Sequence, residues 1–185
     1  MNNINNFCLN LNIIDNFYDE NDLGYMLTCA MLNSYTATYQ PNKNFFCSRV
    51  NSYRCHETKK FVHMDKTTSI FIDTFNKKTG KKIKELETYF RKIYVSEIQN
   101  VLKYRLPSHV DSIEYDIAGV IYLNTFGIDD GTGFFTTSEN QIEPDIILGA
   151  KPNRCVFYDS QIPHLPLHST NNEMRLIQPF FIKYE

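Results

Sequence analysis

The sequence predicts a mainly β domain with flanking helices, a β-sandwich or barrel with two helices packed on one face. Three observations lead there. After Pro107 no helical period is visible, and short apolar segments recur at 117–123, 133–136, 146–148, 155–158 and 176–182. Turn chemistry separates them, and closely spaced strands of this kind belong to sandwiches and barrels. Both helical periods fall in the first half of the chain. With 185 residues, no internal repeat and no low-complexity linker, residues 1–185 read as a single domain with a sizeable core.

Near the N-terminus, Leu9, Leu11, Ile13 and Ile14 form a short strand within an Asn-rich start. Asp19 is placed to cap the first helix, with Glu20 and Asp22 at the positive end of its dipole. Leu23, Met26, Leu27, Ala30 and Met31 follow at i, i+3, i+4, i+7 and i+8, an apolar face weakened slightly by Gly24. Residues 35–74 turn β-like, with Phe45, Phe46, Val50, Tyr53, Phe61, Val62, Ile70 and Ile72. Residues 76–80 read as a turn. Ile83, Leu86, Phe90 and Ile93 mark the second helix, which runs toward Gln99 or yields to a strand near 101–105 before Pro107. Further turns are expected at 128–131, 151–153 and 169–172. Pro179, inside the last apolar run, places that strand at an edge or on a bulge.

Bulk properties narrow the function classes. A formal charge of −2 and a pI near 6.2 give no nucleic-acid footprint. The local cluster of lysines between Lys77 and Lys84 reads as a solvated turn entering a helix. No apolar run approaches the roughly 18 residues that span a bilayer. Five scattered cysteines without a C-x-x-C, behind a polar opening segment, predict reduced thiols and a cytoplasmic protein. Cys47, Cys55, His56 and His63 match no common zinc spacing, and nucleotide-binding, zinc-protease and serine-hydrolase motifs are absent.

Two imidazoles and one carboxylate suit a mononuclear metal site that keeps coordination positions open. An H-x-D triplet supplies two of the three, but the chain has two of them, His63-Met64-Asp65 and His109-Val110-Asp111. His63 sits among Lys59, Lys60 and Lys66 with no strand–turn–strand behind it. His109 precedes the longest apolar strand and lies 55 positions before His164, a gap that suits two strands entering one mouth of a barrel. Arg175 opens the last apolar run and offers a planar fork of donors to a carboxylate. Duller readings exist beside these: a loop histidine for His109, a cap for Asp111, a surface arginine for Arg175, and plain core for Tyr122. His168 competes with His164, Asn124 and Tyr104 are explained by a strand end or a solvated face, and Gly131-Thr132-Gly133 reads as a hairpin turn without chemistry.

The segment from Tyr104 to Tyr184 resembles the catalytic core of the Fe(II)/2-oxoglutarate-dependent oxygenases, particularly the prolyl-4-hydroxylase-like branch with its small phage and bacterial members. It carries, in order, H-x-D at 109–111, a strand ending Y-L-N at 122–124, G-T-G-F-F at 131–135, His164, and Arg175 eleven positions on. The opening I-I-D-N-F-Y-D-E-N-D-L at 13–23 resembles that family's first strand and helix. The resemblance implies a double-stranded β-helix (jelly-roll) core. It implies Fe(II) ligation by His109, Asp111 and His164, pairing of Arg175 with the distal carboxylate of 2-oxoglutarate, and a hydrogen bond from Tyr122 to that co-substrate. Family spacing selects His164 over His168, which lies only seven residues before Arg175. The implied activity is a dioxygenase that hydroxylates a peptidyl side chain or small metabolite while turning 2-oxoglutarate and O₂ into succinate and CO₂. Halogenases of the family lack the carboxylate, so Asp111 favours hydroxylation. Segment 159–163 and Pro179 depart modestly from the pattern, and specificity is expected in 42–73 and 141–151. Two alternatives stand beside this: a cupin-like metal enzyme that uses no 2-oxoglutarate, and a non-enzymatic jelly-roll binding module.

Overall fold

A computed structural model of the chain describes residues 10–33, 36–39, 54–57, 66–94, 108–111, 113–124, 127–136, 143–167 and 174–185. The elements run β1 (Leu11–Ile14), α1 (Glu20–Leu32), β2 (Thr36–Tyr39), β3 (Arg54–Glu57), α2 (Lys66–Thr79), β4 (Ile83–Thr88), β5 (Arg91–Tyr94), β6 (Ile117–Tyr122), β7 (Gly127–Phe134), β8 (Ile146–Ala150), β9 (Arg154–Asp159), β10 (His164–Pro166) and β11 (Met174–Tyr184). One antiparallel sheet has the order β1-β9-β6-β11-β5-β3-β2, with β4 also pairing β11; the other has the order β10-β7-β8. No helix among the described residues is long and apolar enough to cross a membrane.

Side-chain alternation in the large sheet creates three layers. Ile117 and Ile121 of β6, Cys155 and Phe157 of β9, and Leu176, Phe180 and Ile182 of β11 face the helices. Their neighbours Ala118, Val120, Tyr122, Val156, Tyr158 and Ile177 face the small sheet, where Phe134 and Ala150 meet them. Burial on both faces explains why β6 is apolar throughout rather than alternating. The helix layer is held by rings: Phe71 lies 4.9 Å from Phe180 and Phe75 lies 5.3 Å from Phe157, between centroids. Met26 and Ala30 bring α1 into the same cluster.

Several buried polar groups tie this layer together through hydrogen bonds. The Tyr18 hydroxyl donates to Gln178 Oε1 at 2.8 Å, Gln178 Nε2 donates to Thr88 Oγ1 at 3.2 Å, and Thr88 donates to the Pro179 carbonyl at 2.8 Å. Asn153 exchanges two hydrogen bonds with the Tyr18 backbone, and Arg154 Nε donates to Asp15 at 2.7 Å. These contacts tie the start of α1 to the β8–β9 turn. Asp19 caps α1 as expected, accepting from the Asp22 amide at 2.8 Å.

Several expectations are corrected. The helix expected from Ile83 to Ile93 is the pair β4 and β5. Its 3.6-residue spacing is a coincidence of a two-residue break: Leu86 and Phe90 turn toward the helices and Ile93 toward the small sheet. Pairing with β11 overrides the local period. The second helix is instead α2, formed where Ile70 and Ile72 suggested a strand; it buries Thr67, Thr68, Phe71 and Phe75 at helical spacing. Residues 76–79 are its last turn, not a loop, and only Gly80, at φ +70°, breaks it. The turn expected at 128–131 lies within β7, whereas the one at 151–153 is present. Met31, assigned to the buried face of α1, is half exposed. Pro179 occupies a central strand, not an edge. It faces the break between β4 and β5, where the Tyr89 amide donates to its carbonyl and no ladder donor is required of it. The triplet His63-Met64-Asp65, with Cys8, Cys47, Tyr104, His168, the 101–105 strand and the 169–172 turn, lies outside the described residues.

Gly119 pairs with Phe180 across the ladder, and a Cβ there would come 2.2 Å from Phe180 Cζ and 2.7 Å from the Val156 carbonyl oxygen. Gly119→Ala is therefore expected to lower unfolding free energy by about 1–3 kcal/mol through overpacking, read as a lower urea midpoint with an unchanged slope. An unchanged midpoint would show that the Phe180 ring yields freely.

Candidate metal centre

The centre is built on β10, the end strand of the small sheet. β10 pairs with β7, setting His164 opposite Phe134. On its other side His164 exchanges two backbone hydrogen bonds with His109, each 2.9 Å. Two residues on, the Asp111 amide donates to the Ser160 carbonyl at 3.0 Å. An extended segment points alternate side chains the same way, so His109 and Asp111 converge while Val110 faces solvent. That is the physical content of the H-x-D spacing. Ser160 secures the following residues as well: its hydroxyl donates to the Tyr115 carbonyl and its amide to that of Asp116.

His109, Asp111 and His164 present ligand atoms that all lie within 4.8 Å of one another. His164 Nε2 is 3.4 Å from Asp111 Oδ2, and the two imidazole centroids are 4.4 Å apart. His164 is buried, Asp111 half-buried and His109 exposed. The Ile162 carbonyl, 2.9 Å from His164 Nδ1, fixes the tautomer with the proton there, leaving the Nε2 lone pair aimed at Asp111. Burial, opposed by that hydrogen bond, lowers the His164 pKa to about 4. Burial raises the Asp111 carboxyl to about 6, against the nearby positive charges of His109 and Arg91. A neutral imidazole and a carboxyl raised by burial are what a divalent ion would relieve. The donor set fits such an ion with open coordination positions.

Two residues along β7 and β10, at the Thr132–Pro166 pair, lies a second polar group. Arg175 is 3% exposed, on the β11 face shared with Ile177. Its guanidinium is held by the carbonyls of Leu167, at 2.5 Å, and Gly131, at 3.4 Å. Its Cζ lies 5.4 Å from the centre of the fully buried Tyr122 ring. The Tyr122 hydroxyl is 2.7 Å from Thr132 Oγ1. A cation, a phenol and a hydroxyl thus meet in a buried corner of the inter-sheet space.

All five site residues chosen from the sequence are therefore in the described structure, three as a cluster and two as the adjoining corner. Asn124 is not in it: it closes a strand end, accepting from the Leu176 amide at 2.7 Å and donating to the Met174 carbonyl at 3.2 Å. Thr132 was missed because its Gly-Thr-Gly setting suggests a hairpin, whereas it lies mid-strand in register with Pro166 and Leu148. The available signal was alternation with Phe134. Tyr158 was missed too; its ring centroid lies 4.8 Å from that of His164.

Fold and cluster together define a class: the chain has the fold of the 2-oxoglutarate–Fe(II) oxygenases. HygX from Streptomyces hygroscopicus, solved with nickel and 2-oxoglutarate bound, superposes with a TM-score of 0.63 at 8% identity, over 95% of this chain and 83% of that one. An oxidoreductase of the 2OG-Fe(II) oxygenase family from Burkholderia pseudomallei gives 0.60 at 10% identity, over 94% and 85%. A prolyl-4-hydroxylase from Pseudomonas putida gives 0.58 at 11%, over 95% and 94%. No protein-family model matches the sequence, and no curated protein matches it.

The shifted groups set a pH dependence. A carboxyl raised by burial costs the metal-free fold stability above about pH 6, and protonation relieves that cost. His164, lowered to about 4, acts oppositely: its stabilisation is present above its ordinary value near 6.5 and is lost as pH falls through about 4. A metal must displace the Asp111 proton but not one from His164 until far lower pH. Cobalt(II) affinity is therefore expected to be flat at high pH and to fall by about tenfold per unit or more once pH drops below about 6. A profile flat to pH 5 would remove Asp111 from the ligand set.

Proposed function

We propose that the chain is an Fe(II)- and 2-oxoglutarate-dependent dioxygenase, a hydroxylase of a peptidyl side chain or a small metabolite, built on a jelly-roll (double-stranded β-helix) core. One observation carries the reading: two imidazoles and a carboxylate converge beside a buried arginine corner, on the fold this enzyme class uses. A metal site alone would fit a cupin-like enzyme, and the fold alone would fit a binding module. The combination favours neither.

In this assignment His109, Asp111 and His164 would hold Fe(II), and a donor set of this kind would leave room for a keto acid and O₂ to bind. Arg175 takes the distal carboxylate, and Tyr122 with Thr132 offers hydroxyls beside it. When bound, iron couples decarboxylation of 2-oxoglutarate to oxidation of a substrate C–H bond; 2-oxoglutarate, O₂ and R–H become succinate, CO₂ and R–OH. The chain's own part is placement and exclusion of water. Leu167 and Gly131 carbonyls orient the guanidinium, and Ile162 fixes the His164 tautomer. Phe134, Ile177 and Val156 keep the inter-sheet space apolar. Retention of Asp111 leaves no vacated ligand position for a halide, which supports hydroxylation. A reducing cytoplasm, where thiols and Fe(II) both persist, is the compartment this chemistry favours.

Anaerobic addition of 2-oxoglutarate to the Fe(II)-loaded protein should produce the weak visible charge-transfer band of a keto-acid chelate. In air, succinate should form slowly without substrate, and His109→Ala or Asp111→Ala should abolish it. Arg175→Ala should retain the metal yet weaken 2-oxoglutarate by roughly a hundredfold, as expected for a charge-assisted pair at a buried site. No band in the wild type would sink the assignment; full turnover in Arg175→Ala would move it to the cupin-like alternative.

A further inference from the structure

We infer that Ser160 is a positioning residue for the metal: its hydroxyl clamps the chain that carries Asp111 and so keeps the carboxylate facing the two imidazoles. This rests on the ligand set proposed above, not on the identity of the co-substrate. Asp159-Ser160-Gln161-Ile162-Pro163, the stretch that departs from the family pattern, is the turn joining β9 to β10. The Ile162 amide closes it on the Asp159 carbonyl and the Gln161 amide caps it on Asp159 Oδ1, each at 2.9 Å. From this one turn the Ile162 carbonyl meets His164 Nδ1, and the Ser160 carbonyl accepts from the Asp111 amide. An imidazole and the carboxylate are therefore placed by the same few residues.

The ligands differ in how firmly the sheet holds them. His164 is paired with β7 on one side and bridged to His109 on the other. Asp111 lies past that bridge, and beyond it Ile113, 83% exposed, and Glu114 face solvent. The chain is anchored to β11 again only at Asp116, whose amide donates to the Ile182 carbonyl at 2.9 Å. Between those anchors Ser160 grips it through its carbonyl to the Asp111 amide, its hydroxyl to the Tyr115 carbonyl, and its amide to the Asp116 carbonyl.

The carbonyl and amide contacts are backbone bonds that almost any residue could make. The hydroxyl is what the serine side chain adds. It is buried, with Ser160 1% exposed, and Gln161 Nε2 lies 3.3 Å away as a donor to it, which leaves the hydroxyl proton for Tyr115. Ser160→Ala would take that donor from the Tyr115 carbonyl and loosen the stretch that returns from Asp111. The β9 and β10 ladders, and with them His164, would be untouched. Partners that orient a ligand in this way typically set metal affinity by ten- to a hundredfold.

The test is a cobalt(II) titration of wild type, Ser160→Ala, Asp111→Ala and the double variant, recording the visible d–d spectrum and the metal-free melting temperature of each. Ser160→Ala is expected to bind cobalt(II) about tenfold more weakly than wild type, with d–d bands displaced toward those of Asp111→Ala. In the Asp111→Ala background the same substitution should cost nothing further, because the serine acts through the carboxylate. Ser160→Thr, which keeps the hydroxyl, should restore the affinity. Should Ser160→Ala fail to fold, Ser160→Cys takes its place in the cycle, with a similar side chain and a weaker donor. Wild-type affinity in the serine variant, or equal losses in both backgrounds, overturns the inference and leaves the ligand set standing. Wild-type affinity in Asp111→Ala overturns the ligand set itself.

Discussion

A sheet covered on both faces must divide its side chains strictly, and the site depends on that division. β11 is the strand where it matters most. Leu176, Phe180 and Ile182 are committed to the helix layer by the rings of Phe71 and Phe75. The two-residue period then leaves Ile177 and Arg175 on the opposite face. A one-residue slip would put the guanidinium under the helices and Leu176 in the polar corner. Register is fixed on both sides, by β6 and by the β4–β5 pair. The helices pack on the opposite face of the sheet, yet their packing decides where Arg175 points.

The second constraint is electrostatic. Asp111 and His164 are brought together by backbone hydrogen bonds, through the His109 bridge and Ser160, rather than by attraction between their side chains. Without a cation the arrangement is poor. A buried imidazole is held neutral and a half-buried carboxyl is pushed toward its protonated form. A divalent ion reverses both penalties, and its binding energy adds to the stability of the folded chain. The ladders pre-organise the ligands, and the metal recovers the desolvation cost that they impose. Arg175 has the same logic one step away: a cation buried between carbonyls gains most from an anion that enters the corner.

Legibility in the sequence followed the range of the interactions. The strands of the second half, the Asp19 cap and the 151–153 turn were readable because alternation, capping and turn chemistry are local. His109, Asp111, His164 and Arg175 were readable as an ordered set, and Asp111 follows from His109 by strand geometry alone. The Ile83–Ile93 segment was misread because its apolar residues fit a helical period and only pairing with the distant β11, and for β5 also with β3, requires strands there. The converse error befell α2, whose Phe71 and Phe75 are helical neighbours hidden among β-branched residues. Pro179 suggested an edge or a bulge because no local feature announces that the neighbouring strand breaks opposite it. Thr132 and Tyr158 enter the site only through sheet pairing, so composition gave no sign of them.

The proposed chemistry requires His109, Asp111 and His164 to act as one ligand set. Pulsed EPR on the protein carrying one equivalent of copper(II) tests it most directly, because coordinated imidazoles are counted by their remote nitrogens. Two coordinated imidazoles are expected in the wild type, one in His109→Ala and one in His164→Ala. Two imidazoles persisting in His109→Ala would contradict it, and would place the metal on the chain's other histidines instead.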